Sequence, residues 1–270
     1  WLHDVARAYP VMIDPSVTHN ADSDFTGQFN RVVDADATSS TQLEIGYQEH
    51  GLDPYTVLLI HGNEATGSTV ITDTASSTRV ITANGNASTT SAVTQLGLNN
   101  SLAFDGTGDY LSVPDSDDWN FGSGDFTIDM WIYATSFVDY ESIFGQALSD
   151  GITPILAQVW ADGHLHIYAS TDGSSWDSIS NADAGALTLN SWNHIAIVRD
   201  GNSIYGFIDG VKGSTSDVTG DTLYNSTNAF HIGDKGPSSA QDYYGYIDEI
   251  RITKGRALTT EEIKAAASRR

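Results

Sequence analysis

The side chains of this sequence that could do chemistry are, first, aromatic rings placed beside turns. Trp160 and Trp176 each lie next to an Asp-Gly turn, and Tyr140 and Tyr243 lie in loop-like stretches. Exposed aromatic rings beside hydrogen-bonding side chains are the usual components of a carbohydrate site. These four residues are therefore candidate ligand-binding residues. Packing at the rim of a core is the alternative interpretation, and it stays open.

Histidines and acids form a second set of candidates, for metal binding. His164 and His166 are two residues apart, which places both imidazoles on one face of a strand. Such a pair suits zinc, but no third ligand is evident, and an ordinary solvent-facing strand surface is the alternative. The acids of the 34–38 loop lack the spacing of a helix–loop–helix calcium site, and we expect loop acids to cap turns.

Composition narrows the classes of partner. The chain has 12 Lys and Arg against 35 Asp and Glu, a net charge of −23, which repels phosphate backbones and anionic lipid. We therefore expect no nucleic-acid binding and, in the absence of a long apolar run, no membrane insertion. Cysteine is absent, which excludes thiol catalysis and disulfides. A surface rich in Ser, Thr, Asn and Gly is typical of secreted β-proteins and fibres, so we expect an extracellular or cell-surface location.

Short strands separated by tight turns must position these side chains. From Tyr55 onward, apolar or alternating runs recur, bounded by Gly, Asp or Asn. Asp162-Gly163 and Asp209-Gly210 supply the positive φ angles that tight hairpins need. About thirteen such strands predict an antiparallel sandwich or barrel. A helix is predicted near its capping box, in which Thr259 and Glu262 have the required spacing.

Several stretches together carry a resemblance to a known family. Two of them are Phe104-Asp105-Gly106-Thr107-Gly108-Asp109-Tyr110-Leu111 and Ser191-Trp192-Asn193-His194-Ile195-Ala196-Ile197-Val198. They are followed by Phe207-Ile208-Asp209-Gly210 and by Gly245-Tyr246-Ile247-Asp248-Glu249-Ile250-Arg251-Ile252. In this order they resemble the laminin-G-like, concanavalin-A-like jelly-roll family over about residues 55–268.

The resemblance implies an all-β fold, an antiparallel two-sheet jelly-roll β-sandwich with a short C-terminal helix, as one domain over residues 53–270. It also implies a structural calcium ion, which many family members hold with an Asp on the last strand. Asp248 matches that position, and Asp105, at an early strand end, is the weaker candidate ligand.

The same family includes glucanases, whose Glu-x-Asp-x-(x)-Glu strand presents its acids on one face. No such run occurs here. The nearest acids, Asp248 and Glu249, are adjacent and so point to opposite faces of a strand. The Gly-x-Ser-x-Gly elbow of serine hydrolases is also absent. We therefore predict a non-catalytic module, with a glycoside hydrolase as the weaker alternative.

Residues 1–52 differ from the rest of the chain. They contain strand-like pieces but too few apolar residues for an independent core. The run from Ala8 to Val17 resembles a linker of very large bacterial surface and wall-associated proteins. We predict an extended N-terminal strand segment, a linker or docking strands, in a larger bacterial surface or phage-fibre-type protein.

Two functions remain open for the whole chain. The first is an extracellular adhesion module that recognises a glycan or a cell-surface partner. The alternative is a structural subunit of a fibre or filament that self-assembles when residues 1–52 add a strand to a neighbouring copy. Glycan binding would favour the first function, and ordered self-assembly without a ligand would favour the second.

Overall fold

Fifteen strands, one α-helix and the short 3-10 helix Asp117–Trp119 are present in the described part of the chain. The computed structural model describes residues 53–268, apart from 76–78, 96–99, 139, 148–150 and 237–240. The strands are β1 Thr56–Ile60, β2 Thr82–Asn84, β3 Ser88–Thr90, β4 Ser101–Asp105, β5 Tyr110–Val113, β6 Phe126–Ala134, β7 Glu141–Gly145, β8 Ile155–Val159, β9 His164–Ala169, β10 Ile179–Ala186, β11 Trp192–Asp200, β12 Ser203–Ile208, β13 Val211–Asp217, β14 Phe230–Ile232 and β15 Tyr244–Lys254. The helix, α1, is Thr260–Ala267.

The strands form two antiparallel sheets. The eight-stranded sheet has the order β13-β12-β11-β6-β15-β4-β3, with β1 pairing with β15. The seven-stranded sheet has the order β10-β9-β8-β7-β14-β5-β2. This is the two-sheet jelly-roll sandwich with a short C-terminal helix that the sequence predicts. The predicted N-terminal strand segment lies outside the described residues.

Alternation along each strand builds the core between the sheets. In β6, Phe126, Ile128, Met130 and Ile132 all lie in the main apolar cluster, as a period of two requires. The intervening Asp129 and Trp131 face away from it. There Trp131 contacts the ring of His194 at 5.3 Å between centroids, and Asp129 accepts two hydrogen bonds from Arg251, both of 2.8 Å.

The predicted Asp-Gly turns join neighbouring strands. Gly163, between β8 and β9, and Gly210, between β12 and β13, have φ angles of 80° and 76°. This left-handed backbone costs glycine little and strains other residues. The β8–β9 hairpin is important for the site because it fixes the rings on either side of its turn.

Helix α1 begins at the predicted capping box. The Thr259 hydroxyl accepts a hydrogen bond from the Glu262 amide, and the Glu262 carboxylate accepts one from the Thr259 amide. The helix carries Ile263 into a second apolar cluster with Val198 and Phe207 on the outer side of the eight-stranded sheet. Among the described residues, no helix has the length and apolar character that crossing a membrane demands.

Candidate functional site

The outer surface of β7–β10 carries a row of aromatic and polar side chains, which we call the aromatic face. Along β9, Leu165, Ile167 and Ala169 enter the core. His164, His166 and Tyr168 therefore point to the opposite side of the sheet. Pairing of β8 with β9 brings Trp160 beside these residues, because the Trp160 amide donates to the His164 carbonyl at 3.1 Å.

The rings of the aromatic face are in contact at its two ends. The Trp160 ring lies 4.5 Å from that of His166 and 5.2 Å from that of Tyr140, centroid to centroid. At the other end, Trp176 lies 5.2 Å from Tyr168. Tyr140 is 43% exposed, and Trp160 and Trp176 are partly exposed. Three of the four predicted ligand-binding residues thus lie on one sheet face.

The fourth predicted residue, Tyr243, lies elsewhere. Its side chain has no exposed surface and belongs to the main core cluster, with Phe104 packed edge-on at 6.4 Å. The prediction of an exposed loop position is wrong for Tyr243, because residue 243 is drawn into the core just before β15 begins. Its neighbour Tyr244 is 47% exposed instead.

Polar contacts hold the aromatic face in place. The Gln158 amide donates to the Ser142 hydroxyl at 3.1 Å and to the Tyr140 carbonyl at 3.3 Å. This fixes the backbone of Tyr140, whose φ of 72° is unusual for a residue other than glycine. His164 Nδ1 lies 3.0 Å from both carboxylate oxygens of Asp183.

His166 is the most informative polar group in this row. It is 7% exposed, and neither of its ring nitrogens has a hydrogen-bond partner. The nearest charged group is Asp162, whose carboxylate lies 3.7 Å from Nε2. A buried polar group that lacks a partner costs free energy, which a water molecule can recover. Burial also raises the pKa of Tyr168 to about 12, so its hydroxyl remains a donor.

Sequence reasoning noted His164 and His166 but missed Tyr168 and Gln158. The alternation from His164 to Tyr168 gave a usable signal, since every second residue is polar or aromatic. The sequence suggested the histidine pair as a possible zinc site that lacked a third ligand. In the described part of the chain, no group of three His, Asp or Glu side chains is suited to hold a metal.

The two predicted calcium ligands lie apart. Asp105 is exposed, and its carboxylate accepts from the Thr107 amide at 2.8 Å, so it caps a turn. Asp248 lies about 13 Å away along the β4–β15 pair, judged from the strand register.

Asp248 itself offers one possible metal ligand. It is fully buried, and its Oδ2 has no hydrogen-bond partner. Burial and the neighbouring Glu249 charge raise the pKa of Asp248 to about 8. Calcium takes six to eight oxygen ligands, whereas the next carboxylate, Glu249, is bound to His61 at 2.9 Å. Asp248 and Glu249 therefore supply only part of such a ligand set, and calcium binding at Asp248 stays a prediction.

Comparison with known families agrees with the fold. A family model described as the concanavalin A-like lectin/glucanases superfamily matches residues 105–264. This chain belongs to that superfamily. The matched residues include all of the aromatic face, from Tyr140 to Asp183. No protein with curated annotation matches the chain in sequence.

Solved structures with the same fold include binding domains of toxins and one domain of an extracellular arabinanase. The binding domain of Paraclostridial Mosquitocidal Protein 1 has a TM-score of 0.62 at 14% identity, over 78% of this chain and 51% of that one. Domain 4 of AbnA, a GH43 extracellular arabinanase from Geobacillus stearothermophilus, in complex with arabinotriose, has a TM-score of 0.56 at 16% identity, over 79% and 98%.

A structure of botulinum neurotoxin type C has a TM-score of 0.58 at 12% identity. Cell entry of that toxin is described as dependent on interaction with two ganglioside molecules. The structure matches over 78% of this chain and 50% of that one. The chain therefore spans about half the length of the toxin domains that it matches. At these identities the likeness establishes the fold.

Proposed function

We propose that this chain is a non-catalytic, extracellular adhesion module that recognises glycan through the aromatic face. The observation that carries the proposal is the row of partly exposed rings at Tyr140, Trp160 and Trp176, with the unbonded His166 beneath Trp160. Sugar rings present apolar C–H faces that pack on aromatic rings and hydroxyl groups that bond to polar side chains.

The comparisons support this proposal through what similar folds bind. Domain 4 of the arabinanase is described in complex with arabinotriose, and the neurotoxin type C structure is described in terms of gangliosides. A third neighbour, the binding domain of botulinum neurotoxin DC, is in complex with rat synaptotagmin II, which is a protein. A cell-surface protein partner is therefore the second candidate ligand for this chain.

A binding experiment with paired variants tests the proposal. The purified chain is screened on a glycan array, and each hit is measured by calorimetry with Trp160→Ala, Tyr140→Ala and the control Tyr244→Ala. Tyr244 is exposed to a similar extent as Tyr140 but lies in the other sheet. We expect affinity to fall at least about tenfold for Trp160→Ala and to stay unchanged for Tyr244→Ala, because aromatic anchors dominate binding energy.

Two results would contradict the proposal. One is an absence of glycan binding by a folded chain, and the other is equal binding by the Trp160 and Tyr244 variants. Melting curves of each variant show whether a loss of binding reflects a loss of folding. Binding of a protein ligand to the same face, in place of glycan, would support the second candidate.

A further inference from the structure

The aromatic face is bounded by carboxylates at both ends. At the β8–β9 turn, Asp162 lies 3.7 Å from His166, and Asp183 lies 3.0 Å from His164. At the far end of β9, the Ser170 hydroxyl contacts both Asp172 and Asp177, at 3.2 and 3.3 Å. The outward side chains from His164 to Ser170 span about 20 Å, so two acids lie at each end of a row of that length.

Three of these acids, Asp172, Asp177 and Asp183, have a pKa below the ordinary value of an aspartate. The amides of Ser174 and Ser175 hold the pKa of Asp172 well below its ordinary value. Partial burial opposes ionisation of Asp183, but hydrogen bonds from His164 and the Gly185 amide outweigh it and lower its pKa. A ligand on this row therefore meets a negative field along its whole length.

Positive charge is scarce on the same face. Lys235 packs against Gly145 of β7. Gly145 lies at the same level of the sheet as Tyr168 but two strands away, which is about 10 Å. The nearby charge that acts on Lys235 is that of Asp234. The hydrogen bonds and ring contacts of the other arginines and lysines in the described ranges go to residues outside β7–β10.

We infer that the aromatic face selects uncharged glycans and discriminates against sialylated or sulfated ones. This inference rests on the proposed function, since it names the chemical class of glycan that the same face takes. A carboxylate or sulfate on the ligand faces like charge at either end of the row. The one ammonium group that the described residues place on this face, that of Lys235, lies beside Gly151 with Asp234 as its neighbouring charge. A neutral sugar offers hydroxyl groups, which donate to the same aspartates.

The test uses matched pairs of oligosaccharides, each neutral sugar beside its sialylated and its sulfated form. At about 20 mM salt we expect the neutral form to bind about tenfold more tightly, and the ratio to shrink at about 500 mM salt, where the field is screened. In the double variant Asp162→Asn, Asp183→Asn, the ratio should fall toward one, because asparagine keeps the size and the acceptor oxygen but removes the charge.

The control is Asp200→Asn, Asp217→Asn, which removes the same charge from the eight-stranded sheet. It should leave the ratio unchanged. Equal or tighter binding of the anionic forms at low salt would overturn the inference while leaving glycan binding intact. If neither form binds, the proposed function fails and the inference fails with it.

Discussion

Glu141 gives a pH-dependent prediction close to the aromatic face. It opens β7 directly after Tyr140, is 1% exposed, and has one carboxylate oxygen, Oε2, with no hydrogen-bond partner. Burial raises the pKa of Glu141 from 4.5 to about 7, against weaker hydrogen bonds from Val138 and Ser136. Between about pH 4.5 and 7 the residue therefore holds a proton in the folded chain that it releases in the unfolded chain.

The sign and size of the effect follow from this shift. A carboxyl group that binds its proton more tightly when folded stabilises the protein at low pH. Its contribution is complete below pH 4.5 and is lost as the pH rises to about 7. A shift of this size corresponds to about 3 kcal/mol in the free energy of unfolding. Glu141→Gln keeps the shape of the side chain and removes the titration.

Urea unfolding between pH 4.5 and 8 measures the effect. As the pH rises over this range, we expect the stability of the Glu141→Gln variant relative to wild type to increase by about 3 kcal/mol. Glu261→Gln is the control, because the Glu261 side chain is 83% exposed, and its difference from wild type should not change with pH. A constant difference for Glu141→Gln would refute the reasoning.

Four further predictions concern stability and assembly. Arg251→Met leaves Asp129 buried with His194, at 3.4 Å, as its remaining partner and should cost about 3 kcal/mol in urea unfolding; a loss below about 1 kcal/mol would contradict this. Thr259→Ala removes the helix cap and should cost about 1 kcal/mol, with Thr259→Ser near neutral. A bound calcium ion should raise the melting temperature, so a chelator should lower it and Asp248→Ala should weaken that effect; melting curves unaffected by the chelator would contradict the calcium prediction. If residues 1–52 drive filament assembly, their deletion leaves a folded monomer by sedimentation, whereas a full-length chain that is monomeric at all concentrations excludes assembly.

Much of the fold could be predicted because local rules govern it. The alternation in β6, the glycine turn at Gly163 and the capping box at Thr259 each depend on neighbours in sequence. The sequence pattern does not mark Val211–Asp217 as a strand, because it is an edge strand whose residues are mostly exposed and polar. The turn before it brings it beside β12. It therefore forms a strand without the apolar residues that mark a buried strand in a sequence.

The site was only partly predictable because it depends on which strands become neighbours. Tyr140 and Trp160 are 20 positions apart and meet because β7 pairs with β8. Trp176 lies in the loop after β9 and contacts Tyr168 on that strand, and the spacing of the two residues in the sequence does not indicate this contact. Whether Tyr243 or Tyr244 is buried depends on where the strand register of β15 begins, since a shift of one residue exchanges the two faces. The composition of this stretch does not indicate that starting point.

The most direct test of glycan recognition by the aromatic face is to follow the indole N–H signals of the tryptophans by NMR while a glycan is titrated. Trp160 and Trp176 lie on this face, whereas Trp119 is buried in the core and Trp192 lies in the eight-stranded sheet. The account predicts that the signals of Trp160 and Trp176 shift together and saturate with one dissociation constant, while those of Trp119 and Trp192 stay in place. Shifts confined to Trp192, or a titration that moves none of these signals, would contradict it.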